Sequence, residues 1–229
     1  MIFSAKCSSF LLVTAPFSKD GLLRMSVSML LLLIMICTMG CASWRMGAEN
    51  GVVKNGIKFE AFREYDDGSK LGELASDTVI DGWPCKKDFI VFYPDWRLDE
   101  LQLSRDYERN GIFMPERTWV FPDAQGNPGI CMFPHDVNIQ GYLVRGSWME
   151  KEGFMTLFYA SGKLKLFYSR DPVAVDGVSC EDSIFEGISL HENGRLQECK
   201  LGKTASIDGV EYPKGSIIKL DQAGKVRNN

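Results

Sequence analysis

The chain is poor in the residues and motifs from which most enzyme active sites are built. It contains two histidines, His135 and His191, and neither has a serine or cysteine beside it in a nucleophile motif. The spacings typical of serine hydrolases, zinc proteases, dinucleotide-binding loops and P-loops are all missing. The sequence therefore favours a non-enzymatic protein. A glycan-directed hydrolase with dispersed carboxylates is the alternative, because such carboxylates can lie far apart along a chain.

Clustered positive charge is also lacking. The longest basic run is Lys86-Lys87. Without its first 40 residues the chain keeps 23 basic and 29 acidic side chains, a net charge of about −6. Phosphate binding needs a concentrated positive face, so a nucleic-acid partner is not expected.

No pattern for a metal or cofactor stands out. The acidic pairs Asp66-Asp67 and Glu181-Asp182 lack the ligand spacing of calcium loops, and Asp66-Asp67-Gly68 is typical of a turn. No cysteine belongs to a CxxC motif, and no histidine clusters with the cysteines, which argues against zinc. We expect neither a metal nor a cofactor.

The N-terminus carries one long apolar run. Met29 to Cys37 reads MLLLLIMIC, after a stretch with three basic residues and before a series of small ones. This order is typical of a secretory signal peptide, which we place at residues 1–40. An uncleaved membrane anchor is the alternative, because Met25 to Trp44 carries no charge. Polar and small residues shorten the apolar part of that window, which favours cleavage.

The segment Thr38-Met39-Gly40-Cys41 resembles the lipobox of bacterial lipoproteins. Gly40 and Cys41 match the family pattern, whereas Thr38 and Met39 depart from it. The resemblance implies that Cys41 receives a diacylglycerol and becomes the mature N-terminus, held on a membrane by palmitate-type chains. It also implies a place in the cell envelope, facing the periplasm or the cell exterior. The same resemblance implies the outer membrane, because Ala42 stands after the cysteine where an Asp would mark retention at the inner membrane.

Two segments follow the predicted cleavage site. Residues 41–56 show no sustained periodicity and are predicted to form a lipidated tether. Residues 57–229 are predicted to form one domain, because short β-rich runs alternate there with turn dipeptides that accept positive φ. The turn dipeptides are Asp67-Gly68, Asp81-Gly82, Asn110-Gly111, Ser161-Gly162, Asp176-Gly177, Asn193-Gly194 and Asp208-Gly209. They recur at roughly thirty residues, which is typical of a repeated supersecondary unit.

Alternation of apolar residues indicates strands rather than helices. Ile188, Leu190 and Leu196 follow period 2 around one turn. We therefore predict an all-β fold, an antiparallel meander of stacked β-hairpin repeats with about ten to twelve strands. An open sheet, a roll and a two-layer sandwich all remain compatible with this pattern. The hairpin from Phe158 to Leu164 resembles MORN-type repeats, and this resemblance implies nothing about function.

Four cysteines remain in the body: Cys85, Cys131, Cys180 and Cys199. An even number in a secreted protein suggests disulfides, and three pairings are possible. Cys85 and Cys180 each follow a loop-closing glycine by three residues, and Cys131 and Cys199 each follow a turn glycine by five. Disulfides and buried free thiols are both compatible with this arrangement.

Aromatic residues near turns form the candidate binding surface. They are Trp83, Trp96, Trp119, Trp148, Tyr93 and Tyr142. Such side chains are favoured at recognition surfaces. They can also cap an open sheet or fill the core between two layers, and the small size of the body favours this second interpretation. The sequence thus predicts a membrane-anchored envelope lipoprotein, a binding or structural module whose partner is a protein or a glycan.

Overall fold

The computed structural model describes residues 47–147 and 153–227. Within these ranges the chain forms 22 strands, all paired antiparallel, and no helix, so none of the described residues belongs to a helix that could cross a bilayer. The predicted all-β meander of hairpin repeats is therefore confirmed, although the strands number 22 in the described ranges rather than ten to twelve. Cys41 and Trp148 lie outside the described residues.

Twelve strands form one open main sheet in the order β1-β2-β3-β6-β7-β10-β11-β14-β15-β18-β19-β22. A tight turn joins the two strands of each hairpin in this sheet, and the hairpins follow one another in chain order. The main sheet therefore contains no crossover. Its strands are β1 (Glu49–Lys54), β2 (Ile57–Glu64), β3 (Lys70–Leu74), β6 (Phe89–Phe92), β7 (Leu98–Gln102), β10 (Trp119–Pro122), β11 (Pro128–Met132), β14 (Met155–Phe158), β15 (Leu164–Phe167), β18 (Ile188–Leu190), β19 (Leu196–Lys200) and β22 (Ile217–Lys219).

Each passage from one main-sheet pair to the next carries a two-stranded small hairpin. The small hairpins pair β4 with β5, β8 with β9, β12 with β13, β16 with β17 and β20 with β21. Their strands are β4 (Thr78–Ile80), β5 (Trp83–Cys85), β8 (Tyr107–Arg109), β9 (Ile112–Met114), β12 (Val137–Ile139), β13 (Tyr142–Val144), β16 (Val173–Val175), β17 (Val178–Cys180), β20 (Ala205–Ile207) and β21 (Val210–Tyr212).

The turns of the small hairpins need two consecutive residues at positive φ. Asp176 and Gly177, for example, have φ of 50° and 80°. This is the type I′ geometry that suits a two-residue hairpin, and it explains why Asp-Gly and Asn-Gly recur at these places. The turn dipeptides thus determine where each small hairpin reverses.

The small hairpins and the main sheet share one core. Ile80 and Trp83 of the first small hairpin belong to the same buried cluster as Leu101 and Val120 of the main sheet. Five small hairpins therefore cover one face of an open sheet as a second layer. A lone hairpin is marginal in water, and stacking in two layers lets each one bury its apolar face.

The two layers are also latched by hydrogen bonds that recur from repeat to repeat. The carboxylate of Asp176, in the turn of one small hairpin, accepts a 2.9 Å hydrogen bond from the backbone N–H of Leu196 in the next main-sheet hairpin. Gln140 accepts in the same way from Leu164, and Asp208 accepts from Val226, each at 3.0 Å. Each small hairpin is thus tied to the repeat that follows it.

Removing one latch should be measurable. We expect Asp176→Ala to lower the free energy of unfolding by about 1–2 kcal/mol, because the partly buried N–H of Leu196 would lose its acceptor. Asp176→Asn should restore most of this loss, since an amide oxygen can still accept. Urea unfolding of the three proteins provides the measurement, and equal stability of Asp176→Ala and the parent would contradict the latch.

The boundary of the domain differs from the prediction. Residues 49–54, placed in the tether from the sequence, form β1, and β1 pairs with β2 through Asn55-Gly56 at φ of 51° and 76°. The alternation in this edge strand is obscured because several of its residues are polar and exposed. The β body therefore begins at Glu49 rather than at Ile57.

Candidate functional site

Two of the repeats are longer than the others. The turn glycines of the first three small hairpins, Gly82, Gly111 and Gly141, are 29 and 30 residues apart. The next interval, to Gly177, is 36 residues, and the last, to Gly209, is 32 residues. In stacked repeats, insertions map to loops on one face, often the binding face. A binding face is therefore expected at the third and fourth repeats, which carry the additional residues.

The extra residues lie at one equivalent place, after the small hairpin and before the next main-sheet strand. That connection is three residues between β5 and β6, and four between β9 and β10 and between β21 and β22. It is ten residues between β13 and β14 and seven, residues 181–187, between β17 and β18. We call residues 181–187 the insertion loop.

The insertion loop displays two apolar side chains to solvent. Ile184 is 51% exposed and Phe185 is 82% exposed, the highest value for any large apolar side chain in the described ranges. A large exposed apolar residue is more informative than a buried one, because burial is what its chemistry favours. These two residues form the centre of the candidate site.

The loop is held in shape by Ser183 at its middle. The backbone N–H groups of Phe185 and Glu186 both donate to the Ser183 hydroxyl oxygen at 3.1 Å, and that hydroxyl donates to the Glu186 carboxylate. Lys200 on β19 lies 3.2 Å from a carboxylate oxygen of Glu181 and 3.9 Å from one of Glu186. Both ends of the loop are thereby tied to the main sheet, and Phe185 is presented in a defined position.

Arg145 links the connection between β13 and β14 to the insertion loop. Its guanidinium donates to the carbonyl oxygen of Asp182 at 3.3 Å and lies 5.4 Å from the ring centroid of Phe154. Phe154 in turn packs on Tyr168 with ring centroids 5.0 Å apart. Arg145, Phe154, Tyr168, Ile184 and Phe185 together are called the insertion surface.

The aromatic residues predicted to bind do not form one surface. Trp83 is 1% exposed and packs on Tyr107 in the core, and Tyr142 packs on Phe167. Trp119 is 2% exposed and lies outside the core cluster that contains its neighbour Val120. Adjacent residues of a strand point to opposite faces of the sheet, so Trp119 is buried on the other face. Three of the predicted residues therefore serve packing, which corrects the idea of a shared aromatic face.

The remaining two, Tyr93 and Trp96, share the turn between β6 and β7. Trp96 adopts φ of 69° where the corresponding turns have glycine, and its ring stacks on Phe62 with centroids 5.7 Å apart. The buried Lys70 ammonium lies 5.2 Å from the same ring and donates to the carbonyl oxygens of Gly68 and Pro94. Trp96 and Lys70 thus join two adjacent turns, and Tyr93 is 38% exposed beside them.

All four cysteines are buried and free. Cys131 lies with its sulfur 3.8 Å from the Met114 sulfur. Burial raises the pKa of the Cys85 thiol to about 12. The pKa of the Cys199 thiol is raised by the nearby Cys180 side chain and by burial.

A groove of about 780 Å³ separates the small hairpins β16–β17 and β20–β21. Its charged walls include Asp176, Asp208 and Arg195. Both carboxylates already accept the latch hydrogen bonds, and Arg195 donates to the Gln222 carbonyl oxygen and lies 3.6 Å from Asp176. These three charged side chains are engaged in holding the layers together.

His191 and Asp67, two side chains considered for catalysis or metal binding, have structural partners. His191 is buried, and its Nε2 lies 3.0 Å from the carbonyl oxygen of Leu220. Asp67 accepts from the backbone N–H and hydroxyl of Ser69, which lowers its pKa, as expected for a turn aspartate. In the part of the chain that the structure describes, no three His, Cys, Asp or Glu side chains meet in a way that could hold a metal.

Searches with the whole chain found no matching protein-family model and no matching curated protein. The assignment of this site therefore depends on the geometry of its residues alone. Sequence reasoning missed Ile184 and Phe185, although the uneven spacing of the turn glycines marks where the insertions fall. Arg145 offered no comparable signal, because its role depends on two connections meeting in space.

Proposed function

We propose that the protein is a bacterial envelope lipoprotein, anchored through Cys41, that binds a protein partner at the insertion surface and catalyses no reaction. The observation that carries the binding role is Phe185, 82% exposed on a loop fixed by Ser183 and Lys200. An apolar side chain held in place is a typical binding anchor, because little conformational entropy is lost when it enters a pocket.

The chemistry of the surface favours a protein over a glycan. Ile184 and Phe185 present aliphatic and aromatic carbon, and a pocket lined by apolar side chains is their complement. The polar groups around them, Ser183 and Glu186, already bond to each other within the loop. A hydroxyl-rich glycan would need free hydrogen-bonding groups at this position.

The anchor would keep the surface close to a membrane. Glu49, the first residue of β1, comes eight positions after Cys41, with seven residues between them. Fully extended, eight residues span at most about 29 Å. A lipidated Cys41 therefore confines the body to the membrane surface, where a partner in the same envelope is met at high local concentration.

The binding role can be tested by photo-cross-linking in intact cells. A photoreactive phenylalanine analogue at position 185 should give one discrete protein adduct, and Ile184→Ser should reduce its yield severalfold. The matched control is the same analogue at Phe113, which is 48% exposed on a small hairpin and should give no such adduct. Identical adducts from both positions, or an adduct with lipid or glycan alone, would contradict the proposal.

A further inference from the structure

Two residues stand at equivalent positions of every gap between neighbouring small hairpins. One is the first residue after a hairpin turn, and the other is the first residue of the next small hairpin. In the first gap these are Trp83 and Tyr107, whose ring centroids lie 5.6 Å apart. Strand register defines their equivalents, because Trp83 pairs with Ile80 beside the turn and Tyr107 pairs with Met114 at the open end.

The equivalent pairs differ in size from gap to gap. The register of the later small hairpins gives Ile112 with Val137, Tyr142 with Val173 and Val178 with Ala205. The last pair, Val178 with Ala205, has the least side-chain volume of the four. Both residues line the groove between β16–β17 and β20–β21. This groove therefore lies where the array lacks the two rings that fill its first gap.

The tyrosine of the first gap is held at both ends. Its ring packs on Trp83, and its hydroxyl donates to the carbonyl oxygen of Gly82 at 2.8 Å. The glycine at the same position of the fourth small hairpin is Gly177, which lines the groove. Ala205 stands in the place of Tyr107 and has no hydroxyl to donate to Gly177. The fourth gap thus retains the glycine carbonyl and lacks the phenol.

The floor of the groove suits an aromatic ring. Val178, Ala205 and Ile207 line it, are partly buried and pack against the core. Aliphatic surface of this kind is the complement of a ring. The groove volume of about 780 Å³ also lies within the usual range of ligand pockets, roughly 300–1,000 Å³.

The length of the groove favours a polypeptide over a free phenol. Thr204 and Asp208 flank β20 and both line the groove. Four steps along an extended chain cover about 13 Å, which is longer than a single ring. Ser179 and Ser206 also line the groove and supply hydroxyls for the N–H and C=O groups of a peptide. A tyrosine with its neighbouring residues fills this space better than a ring alone.

We propose that this groove binds a tyrosine side chain of a polypeptide partner, with the ring between Val178 and Ala205 and the hydroxyl donating to the Gly177 carbonyl oxygen. The bound tyrosine completes the fourth gap as Tyr107 completes the first. The latch hydrogen bonds of the nearby carboxylates stay in place, because the phenol needs neither of them. The site depends neither on the insertion surface nor on the anchor.

The chemistry can be tested with small probes by saturation-transfer NMR on the full chain. The probes are N-acetyl-tyrosinamide, N-acetyl-phenylalaninamide and p-cresol. We expect the tyrosine amide to bind about 2- to 10-fold more tightly than the phenylalanine amide, the usual worth of one hydrogen bond. It should also bind more tightly than p-cresol, because its amide groups reach the rest of the groove. Equal affinity for the two amides would overturn the phenol assignment, and equal affinity for p-cresol would overturn the polypeptide source.

Two substitutions test the location. Ala205→Tyr supplies the ring from the chain itself and should abolish binding of the tyrosine amide. Tyr107→Ala opens the first gap, so the amide should raise the Tm of this variant more than that of the parent, because a ligand of the native state stabilises it. The matched control is Tyr93→Ala, which lies in a main-sheet turn and should show the parent's rise. Undiminished binding by folded Ala205→Tyr, or equal rises in Tyr107→Ala and Tyr93→Ala, would overturn the proposal.

Discussion

Replacing Phe167 by alanine should lower the free energy of unfolding by about 3–5 kcal/mol, the usual cost of removing a large aromatic side chain from a packed core. The ring is fully buried between the two layers and packs on Tyr142 with centroids 4.9 Å apart. Few neighbours can move into the space it would leave, because the strands on both sides are fixed by their hydrogen bonds. Tm should fall by on the order of 10 °C.

The same substitution at Phe185 should leave stability within about 0.5 kcal/mol of the parent, because the ring is 82% exposed and loses little contact. The two changes remove the same atoms, so their difference measures burial alone. Urea unfolding of both variants gives the result. Comparable losses of stability would mean that Phe185 packs against the body and is unavailable to a partner.

Replacing Cys41 by serine should abolish lipid attachment and leave the chain at its precursor mass. The expected effect is complete, because a serine hydroxyl offers no thiolate for transfer of the diacylglycerol, so the chain keeps its leader and lacks the two acyl chains of the mature form. Membrane fractionation and mass spectrometry of the N-terminal peptide provide the measurement. An inhibitor of the lipoprotein signal peptidase should likewise cause the unprocessed chain to accumulate.

The matched control for the anchor is Cys37→Ser. This cysteine lies four residues upstream, within the predicted signal peptide, and its loss should leave processing unchanged. Normal maturation and membrane association of Cys41→Ser would remove the basis for the anchor. Failure of both variants alike would point instead to a requirement for the whole apolar segment.

The repeat architecture could be predicted because its signals are local. Asp176-Gly177 and Asp208-Gly209 require positive φ at two consecutive residues, and few other dipeptides accept it. Their recurrence therefore predicts hairpins wherever they occur. The division into a main sheet and a second layer was not predictable, because a turn dipeptide looks alike in a main-sheet hairpin and in a small hairpin.

The misplaced residues depend on contacts between distant parts of the chain. Trp83 follows a turn glycine, as an exposed aromatic residue could, yet it points into the core between the layers. The start of the body was set at Ile57 although Asn55-Gly56 is itself a hairpin dipeptide, because polar residues in β1 obscured the alternation.

The cysteines show the same limit. The sequence leaves the pairing of the four cysteines open, and it places Cys85 with Cys180, and Cys131 with Cys199, at equivalent positions of the repeat. In a stacked array such residues are separated by whole repeats. All four cysteines are buried and free, and burial of this kind depends on packing between the layers, which the sequence does not display.

We expect partner binding to depend on the insertion loop, the shorter of the two insertions in the array, because it presents Phe185 to solvent. The most direct test replaces residues 181–187 by the four-residue connection of the next repeat, residues 213–216, and measures the partner adduct formed by chemical cross-linking in intact cells. We predict that the adduct seen with the parent disappears while Tm stays within a few degrees. Phe185→Ser should give the same loss if the exchanged loop lowers expression. An undiminished adduct from either folded variant would contradict the claim.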